Sequence, residues 1–446
     1  MNKGSNKRKI ASNLLLGLIF LLICGLYIML TLTDQIPIIG LSALGGAWLL
    51  YGLLNGRLSP ATPMDFPVLA LLALLPLSLW VSVDKELSLT KIYGVILGVA
   101  VFYFIVNFLR NYQRLKLAVW GLILLGFGIA LLGLLGTDWT TSRYADFLPS
   151  LEGLSALIPT IPRHPAGIHA NAIGGSLAFL IPLYAGLLWD GGAYSRLYLA
   201  KDKFAVFHNI IFKLILIITF LVSIFFLILT DSRGALLGTS LGLFALAVWK
   251  DRRFLWLIPI FILLFSAFFI IFADASLEQL GTLLDSGGNE TLEGRLTAWH
   301  NTFSLIQDFP ITGAGIGAYS LVFDNLYHFK FFPFRGMQYL FAHNSFLSVA
   351  IDLGLPALIL YCALLTIFIQ MIFLRLKIGR SFLKISIQGL FFGLLAHHIF
   401  GLMDAIELGS KLGVLLWIFL GLGAAIYTHK ENFHWHRSRN GAFTST

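Results

Sequence analysis

Residues 291–317 read TLEGRLTAWHNTFSLIQDFPITGAGIG, and residues 342–347 read AHNSFL. The first lies within, and the second closes, the stretch from Asp274 to Asn344, the longest polar interruption in an otherwise apolar chain. On either side run segments of about 18 or more apolar residues, long enough to cross a bilayer as helices. Only 12% of the 446 residues are charged, against roughly 25% in soluble domains. Hydrophobic residues make up 58%, and mean hydropathy is +0.84. A backbone in lipid must satisfy its own hydrogen bonds, so the spans are expected to be helices. A transmembrane barrel is excluded because the apolar runs do not alternate. The fold class is therefore an all-α polytopic membrane protein, a single transmembrane domain over residues 1–446.

About twelve spans are expected. They lie near Ala11–Leu32, Ile36–Leu54, Phe66–Val81, Thr90–Phe108, Leu115–Gly136, Ala170–Trp189, Ile210–Leu229, Ala235–Trp249, Phe254–Phe272, His343–Leu374, Ile385–Met403 and Leu412–Tyr427. The basic stretch Met1–Ile10 precedes a run too long for a typical signal-peptide core, so it reads as the start of the first span. Cys24 and Cys362 lie inside apolar runs and imply no disulfide framework.

With both termini on the cytoplasmic side, the outer segments hold Lys85, Lys91, Arg143, Arg163, Arg233, Arg295, Lys330, Arg335 and Lys411; the inner side holds the rest of the 31 Lys and Arg. That bias follows the positive-inside rule. It also accounts for most of the net charge of +9 without a nucleic-acid partner. Two long outer loops result, residues 137–169 and 274–342, the second preceding the tenth span. Outer arginines do not serve the topology, which singles out Arg163, Arg233 and Arg295.

Taken residue by residue, several readings stay open. Segment 163–171 reads as a surface loop with Asn171 capping a helix. In the tight turn Thr230-Asp231-Ser232-Arg233-Gly234, Asp231 or Ser232 can cap the next helix. Arg233 then sits in its first turn, where the macrodipole disfavours a cation and an anion must compensate. Asp231, lipid phosphate or a phosphorylated ligand would serve; guanidinium holds phosphate bidentately.

Leu292, Leu296, Trp299, Phe303 and Ile306 share a face at helical spacing, which predicts an amphipathic helix over 291–309, stopped by Pro310. Arg295 and Trp299 are i,i+4 neighbours on it. The glycine run 313–317 follows no strand and reads as a flexible turn, not a dinucleotide fingerprint. The aromatic and basic stretch 329–335 suits a membrane interface. His343 opens the tenth span, where neutral imidazole can accept a proton near pH 7. Asp352 lies roughly 13 Å deeper along that helix and on the opposite face, so a direct dyad with His343 is not expected. Asp404 and Glu407 occupy the turn between the last two spans; His397 and His398, inside span eleven, buttress a site or pack the bundle. No metal-ligand spacing is convincing, and the carboxylates are too scattered for a cation site.

Together these segments resemble one family. Asp231-Ser232-Arg233-Gly234-Ala235, Glu293-Gly294-Arg295 with Trp299, Asp308-Phe309-Pro310-Ile311-Thr312-Gly313-Ala314-Gly315, His343-Asn344-Ser345-Phe346-Leu347 and Asp352-Leu353-Gly354-Leu355 are similar in order and spacing to the O-antigen ligase/polymerase superfamily. Arg163 to Asn171 is similar to its pattern before the sixth span. The resemblance covers most of the chain from Arg163 onward.

It implies a metal-independent glycosyltransferase of the GT-C class in the bacterial inner membrane, without a cofactor. The donor would be a glycan on undecaprenyl diphosphate, and the acceptor a hydroxyl of a lipid, glycan or protein at the outer leaflet. By matching positions, Arg233 and Arg295, with Arg163 a weaker match, would bind the diphosphate. His343 would be the general base, with Asn344, Asp404 and Asp352 as supporting candidates. Ligation of O-antigen to lipopolysaccharide core, surface polysaccharide polymerisation and protein O-oligosaccharyl transfer share these motifs. A bicarbonate-type transporter is the alternative from another class.

Overall fold

The computed structural model describes residues 3–33, 35–137, 169–189, 203–260, 263, 292–326, 342–376 and 381–429. These form helices and turns, with no strand among them. The elements are α1 (Lys3–Thr33), α2 (Ile38–Asn55), α3 (Asp65–Val81), α4 (Lys85–Phe108), α5 (Tyr112–Gly136), α6 (Ala170–Trp189), α7 (Lys203–Leu229) and α8 (Arg233–Lys250). A 3-10 turn at Arg252–Leu257 follows, then α9 (Leu292–Asp308), α10 (Tyr319–Leu326), α11 (Ser345–Leu376), α12 (Ser381–Phe400), a 3-10 turn at Lys411–Gly413 and α13 (Val414–Thr428).

Among the described residues, nine helices are long and apolar enough to cross a membrane. They are α1, α2, α4, α5, α6, α7 from Ile210, α11, α12 and the Lys411–Thr428 segment that contains α13. The chain is a multi-pass membrane protein. Apolar α3 and α8 coincide with two further expected spans, whereas most of the expected span Phe254–Phe272 lies outside the described residues. So do Arg163 and most of the expected 137–169 loop, the 329–335 stretch, and parts of the 274–342 loop.

The core is built where helices come close enough for backbone to touch backbone. Helices α6, α8 and α12 pack together, and α4 packs along α13. A Cβ at Gly238 would strike the Ala396 carbonyl, and one at Gly393 would strike the Phe179 carbonyl. Small residues at these crossings supply the close approach that membrane helices use in place of a hydrophobic driving force. His397 and His398 serve this packing. His397 stacks on Phe179 at 3.8 Å and its Nδ1 lies 3.1 Å from the Gly175 carbonyl. His398 Nε2 lies 2.9 Å from the Tyr361 hydroxyl.

The described parts of the large loop pack on the bundle. Helix α9 lies against α11, and Ala298, Leu305, Ala314, Ala318, Tyr319 and Phe323 form a small core with Ala350 and Ile351. The expected helix is present over Leu292–Asp308; on its expected face Ile306 is buried and Trp299 half-buried, but Phe303 turns outward and small residues join the contact. Phe303 is 55% exposed, whereas Ala298 and Thr302 are fully buried. Small side chains face α11 because the two backbones lie close. Periodicity of large apolar residues cannot see such a contact.

The glycine run is not a loose turn. Ala314 N–H donates to the Ile351 carbonyl at 2.6 Å, and Leu355 N–H donates to the Pro310 carbonyl at 2.8 Å. Gly354 makes room for this by breaking α11, with φ 84° and ψ 170°. That conformation is essentially restricted to glycine, and a Cβ there would strike the Ile311 carbonyl. Main-chain groups freed by the kink are thus satisfied by the loop, as a membrane helix requires.

Candidate active site

The candidate site gathers where α6, α8 and α11 begin and α12 ends. Gly174 of α6 lies against Thr230, Ser232 and Ala235, and Gly175 against Phe400. In the turn before α8, Ser232 Oγ accepts from Ala235 N–H at 3.4 Å, so Ser232 is the cap, and Asp231 takes a left-handed φ of 50°. At the start of α6 the Asn171 N–H donates to His169 Nδ1 at 3.3 Å, so His169 serves as the cap and Asn171 does not.

The start of α11 is stitched to the end of α12. Asn344 Oδ1 accepts from the N–H groups of Phe346 and Leu347 at 2.9 and 3.1 Å, a side-chain N-cap. Asn344 Nδ2 donates to the Leu402 carbonyl at 3.2 Å, and Ser345 N–H to the Gly401 carbonyl at 2.7 Å. Asn344 is thus a structural clasp.

His343, just before this cap, has a left-handed φ of 46°. For a residue with a Cβ that conformation costs about 1–2 kcal/mol. It is held by the capped residues on one side and by Trp299, whose indole Nε1–H donates to the His343 carbonyl at 3.4 Å.

The imidazole is 6% exposed, and its Nδ1 lies 3.4 Å from Oδ1 of Asp404, which is 4% exposed. That is an electrostatic contact at the long edge of hydrogen bonding. Asp404 Oδ1 also accepts from Ala405 N–H at 2.8 Å, while Oδ2 is buried without a hydrogen-bond partner. Burial pushes the Asp404 carboxyl up. His343, the Ala405 N–H and the charge of Arg295 outweigh burial and hold it below the usual carboxylate range. Asp404 is therefore ionised at neutral pH.

Arg295 thus belongs to this cluster. It comes from α9, one turn before Trp299, and is half-buried. Its Nε is buried and makes no hydrogen bond. An unsatisfied buried guanidinium donor is costly, and an anionic ligand would remove the cost. Arg233 begins α8 with an exposed side chain. The next residue, Gly234, packs against Met403 and Phe400 beside Asp404, so Arg233 stands at the same end of the bundle.

Asp352 is elsewhere. Its Oδ1 accepts from Gly317 N–H at 3.0 Å, and its carbonyl accepts from Ser78 Oγ at 3.0 Å. Lys91 and Glu407, which pair with each other, act on it electrostatically. This second cluster anchors the glycine run. Among the described residues no group of three His, Cys, Asp or Glu is arranged to hold a metal ion.

The span from α7 to the upper half of α11 carries Arg233, Arg295 and His343 in the order seen in the sequence motifs. Residues 218–362 match the O-antigen ligase family. This match supports the O-antigen ligase/polymerase superfamily, whose members suggest a ligase- or polymerase-like glycosyltransferase. No curated protein matches the chain. The matched segment includes Asp352 but stops before Asp404, which reaches the site from α12's far end. Nothing in the match supports the transporter alternative. Sequence reasoning gave Trp299 no contact with His343; that contact joins α9 to the segment just before α11 and has no local signature.

Proposed function

We propose that this protein moves a glycan from an undecaprenyl-diphosphate carrier to an acceptor hydroxyl, at the outer leaflet of a bacterial inner membrane, without a metal. The carrying observation is the buried His343–Asp404 contact with Arg295, whose Nε is buried without a hydrogen-bond partner, beside it. With His343 Nδ1 directed at Asp404, the acceptor proton passes to Nε2. The acceptor oxygen attacks the anomeric carbon, the bond from that carbon to the diphosphate oxygen breaks, and undecaprenyl diphosphate leaves. Developing negative charge on the diphosphate meets Arg295 and Arg233; Arg163 completes the donor-binding set. Developing positive charge on imidazole meets ionised Asp404, which orients the ring as it does in other buried base–carboxylate pairs.

The donor already carries a good leaving group, so charge stabilisation and one base suffice. The excess of Lys and Arg in the expected inner segments supports placing the site on the outer side, with both termini cytoplasmic. The protein reconstituted with undecaprenyl-diphosphate glycan and a panel of acceptors (lipid A core, free glycan, protein) tests this directly. Glycan transfer to one acceptor class supports the reading and separates ligase, polymerase and protein transferase; ion or solute flux without transfer to any acceptor would sink it.

A further inference from the structure

We propose that Trp299 is a positioning residue for His343, and that it makes the geometry of the base depend on the helix that carries Arg295. The inference rests on the role of His343 proposed above. Three observations carry it. His343 is one of two residues other than glycine with positive φ among the described residues, so its backbone must be held by its surroundings. The capped side, Asn344 and Ser345, is fastened to α12. On the other side, the His343 carbonyl accepts from Trp299 Nε1–H of α9. A change in the φ or ψ of His343 swings its Cβ, and with it the 3.4 Å approach of Nδ1 to Asp404.

Arg295 and Trp299 are one helical turn apart and point the same way. Arg295 acts on Asp404 electrostatically while Trp299 grips the residue that Asp404 orients. Docking of α9 on α11 therefore sets the donor-side cation and the acceptor-side base in one movement. Both contacts require α9 to be docked on α11, so the alignment of the base is tied to the placement of the donor-side cation.

The test is Trp299→Phe, which keeps an aromatic ring and removes the N–H donor, with Trp299→Leu, which also lacks a donor, standing in where the Phe variant does not reach the membrane. Histidine-labelled protein in nanodiscs reads the His343 ring by nitrogen NMR, its signal assigned by its loss in His343→Asn. The expected result is a moved His343 signal with a changed tautomer balance. In transfer, kcat falls about tenfold, KM for the lipid-linked donor is unchanged and the pH profile shifts. An unmoved His343 signal overturns the proposal whether or not transfer is detected. A moved signal with kcat and pH profile as in wild type also overturns it. Absence of transfer by wild type with every donor and acceptor instead overturns the function on which it rests.

Discussion

Asp404 and Asp352 are both buried carboxylates at the same end of the bundle, and they are used in opposite ways. Asp352 is turned inward to the protein: it accepts from Gly317 N–H, and the Lys91–Glu407 pair lies within electrostatic reach. Asp404 faces a histidine and an arginine, and one of its oxygens lacks a hydrogen-bond partner. The first arrangement is closed, with the carboxylate fixing a loop. The second has charge and hydrogen-bonding capacity left over, which is what a site for an anionic, hydroxyl-bearing substrate requires. Residue type does not separate the two; the neighbours do.

Substitutions sharpen this contrast. His343→Ala is expected to lower transfer by about 10²–10⁴-fold, the usual contribution of a general base, while the protein still inserts and remains monodisperse in detergent. Near-normal transfer in that variant would remove the basis of the site. Asp404→Asn is expected to lower kcat by about 10²-fold, since the ring loses its orienting charge. Asp352→Asn keeps an oxygen that accepts from Gly317, and a loss of only a few-fold is expected. Equal losses in the two Asn variants, measured in the same vesicles, would break the comparison.

Gly354→Ala acts on the anchoring side alone. It is expected to destabilise the fold by roughly 2 kcal/mol, seen as earlier melting and faster proteolysis within the large loop. Unchanged melting would mean that the kink tolerates a Cβ.

Acid provides a smaller test. The Asp404 carboxyl is held low in the folded state, so it adds stability at pH values above the ordinary carboxylate value of about 3.9. That stability is lost as pH falls through its lowered folded value. Wild type should therefore melt above Asp404→Asn at pH 7, with the gap closing below about pH 4. A gap that widens in acid would show that the carboxylate is not stabilised by its neighbours. The smallest expected effect is that of a chelator: transfer should be unchanged by EDTA, and a loss restored by a divalent cation would overturn the metal-independent reading.

The helices were legible because lipid leaves few alternatives. Apolar runs such as Lys85–Phe108 and Tyr112–Gly136 are helices at nearly the expected limits. Helix α9 was legible from its period, but its face only in part: Ile306 is buried as its spacing suggests, while Phe303 faces out and Ala298 and Thr302, unremarkable as residues, are buried in its place. The glycine run read as loose because its partners, Ile351 and Gly354, lie on the far side of the loop in sequence. The same holds for Asp404. Its contact with His343 depends on how α12 ends beside the start of α11, and no local spacing encodes that meeting. His343, Arg233 and Arg295 were visible as candidates because cations and a histidine at helix ends are hard to explain otherwise. Their neighbours emerged only with the fold.

The joint between the glycine run and the broken helix α11 has one more consequence. Its key bonds, Ala314 N–H to Ile351 and Leu355 N–H to Pro310, run between main-chain atoms. Beside these it needs the glycines and two side chains, Asp352 and Ser78, which accept from the N–H groups of Gly317 and Ile316. Exposed side chains of the described loop, such as Phe303 and Ile311, take no part in these bonds, so they can vary while the docking geometry is kept.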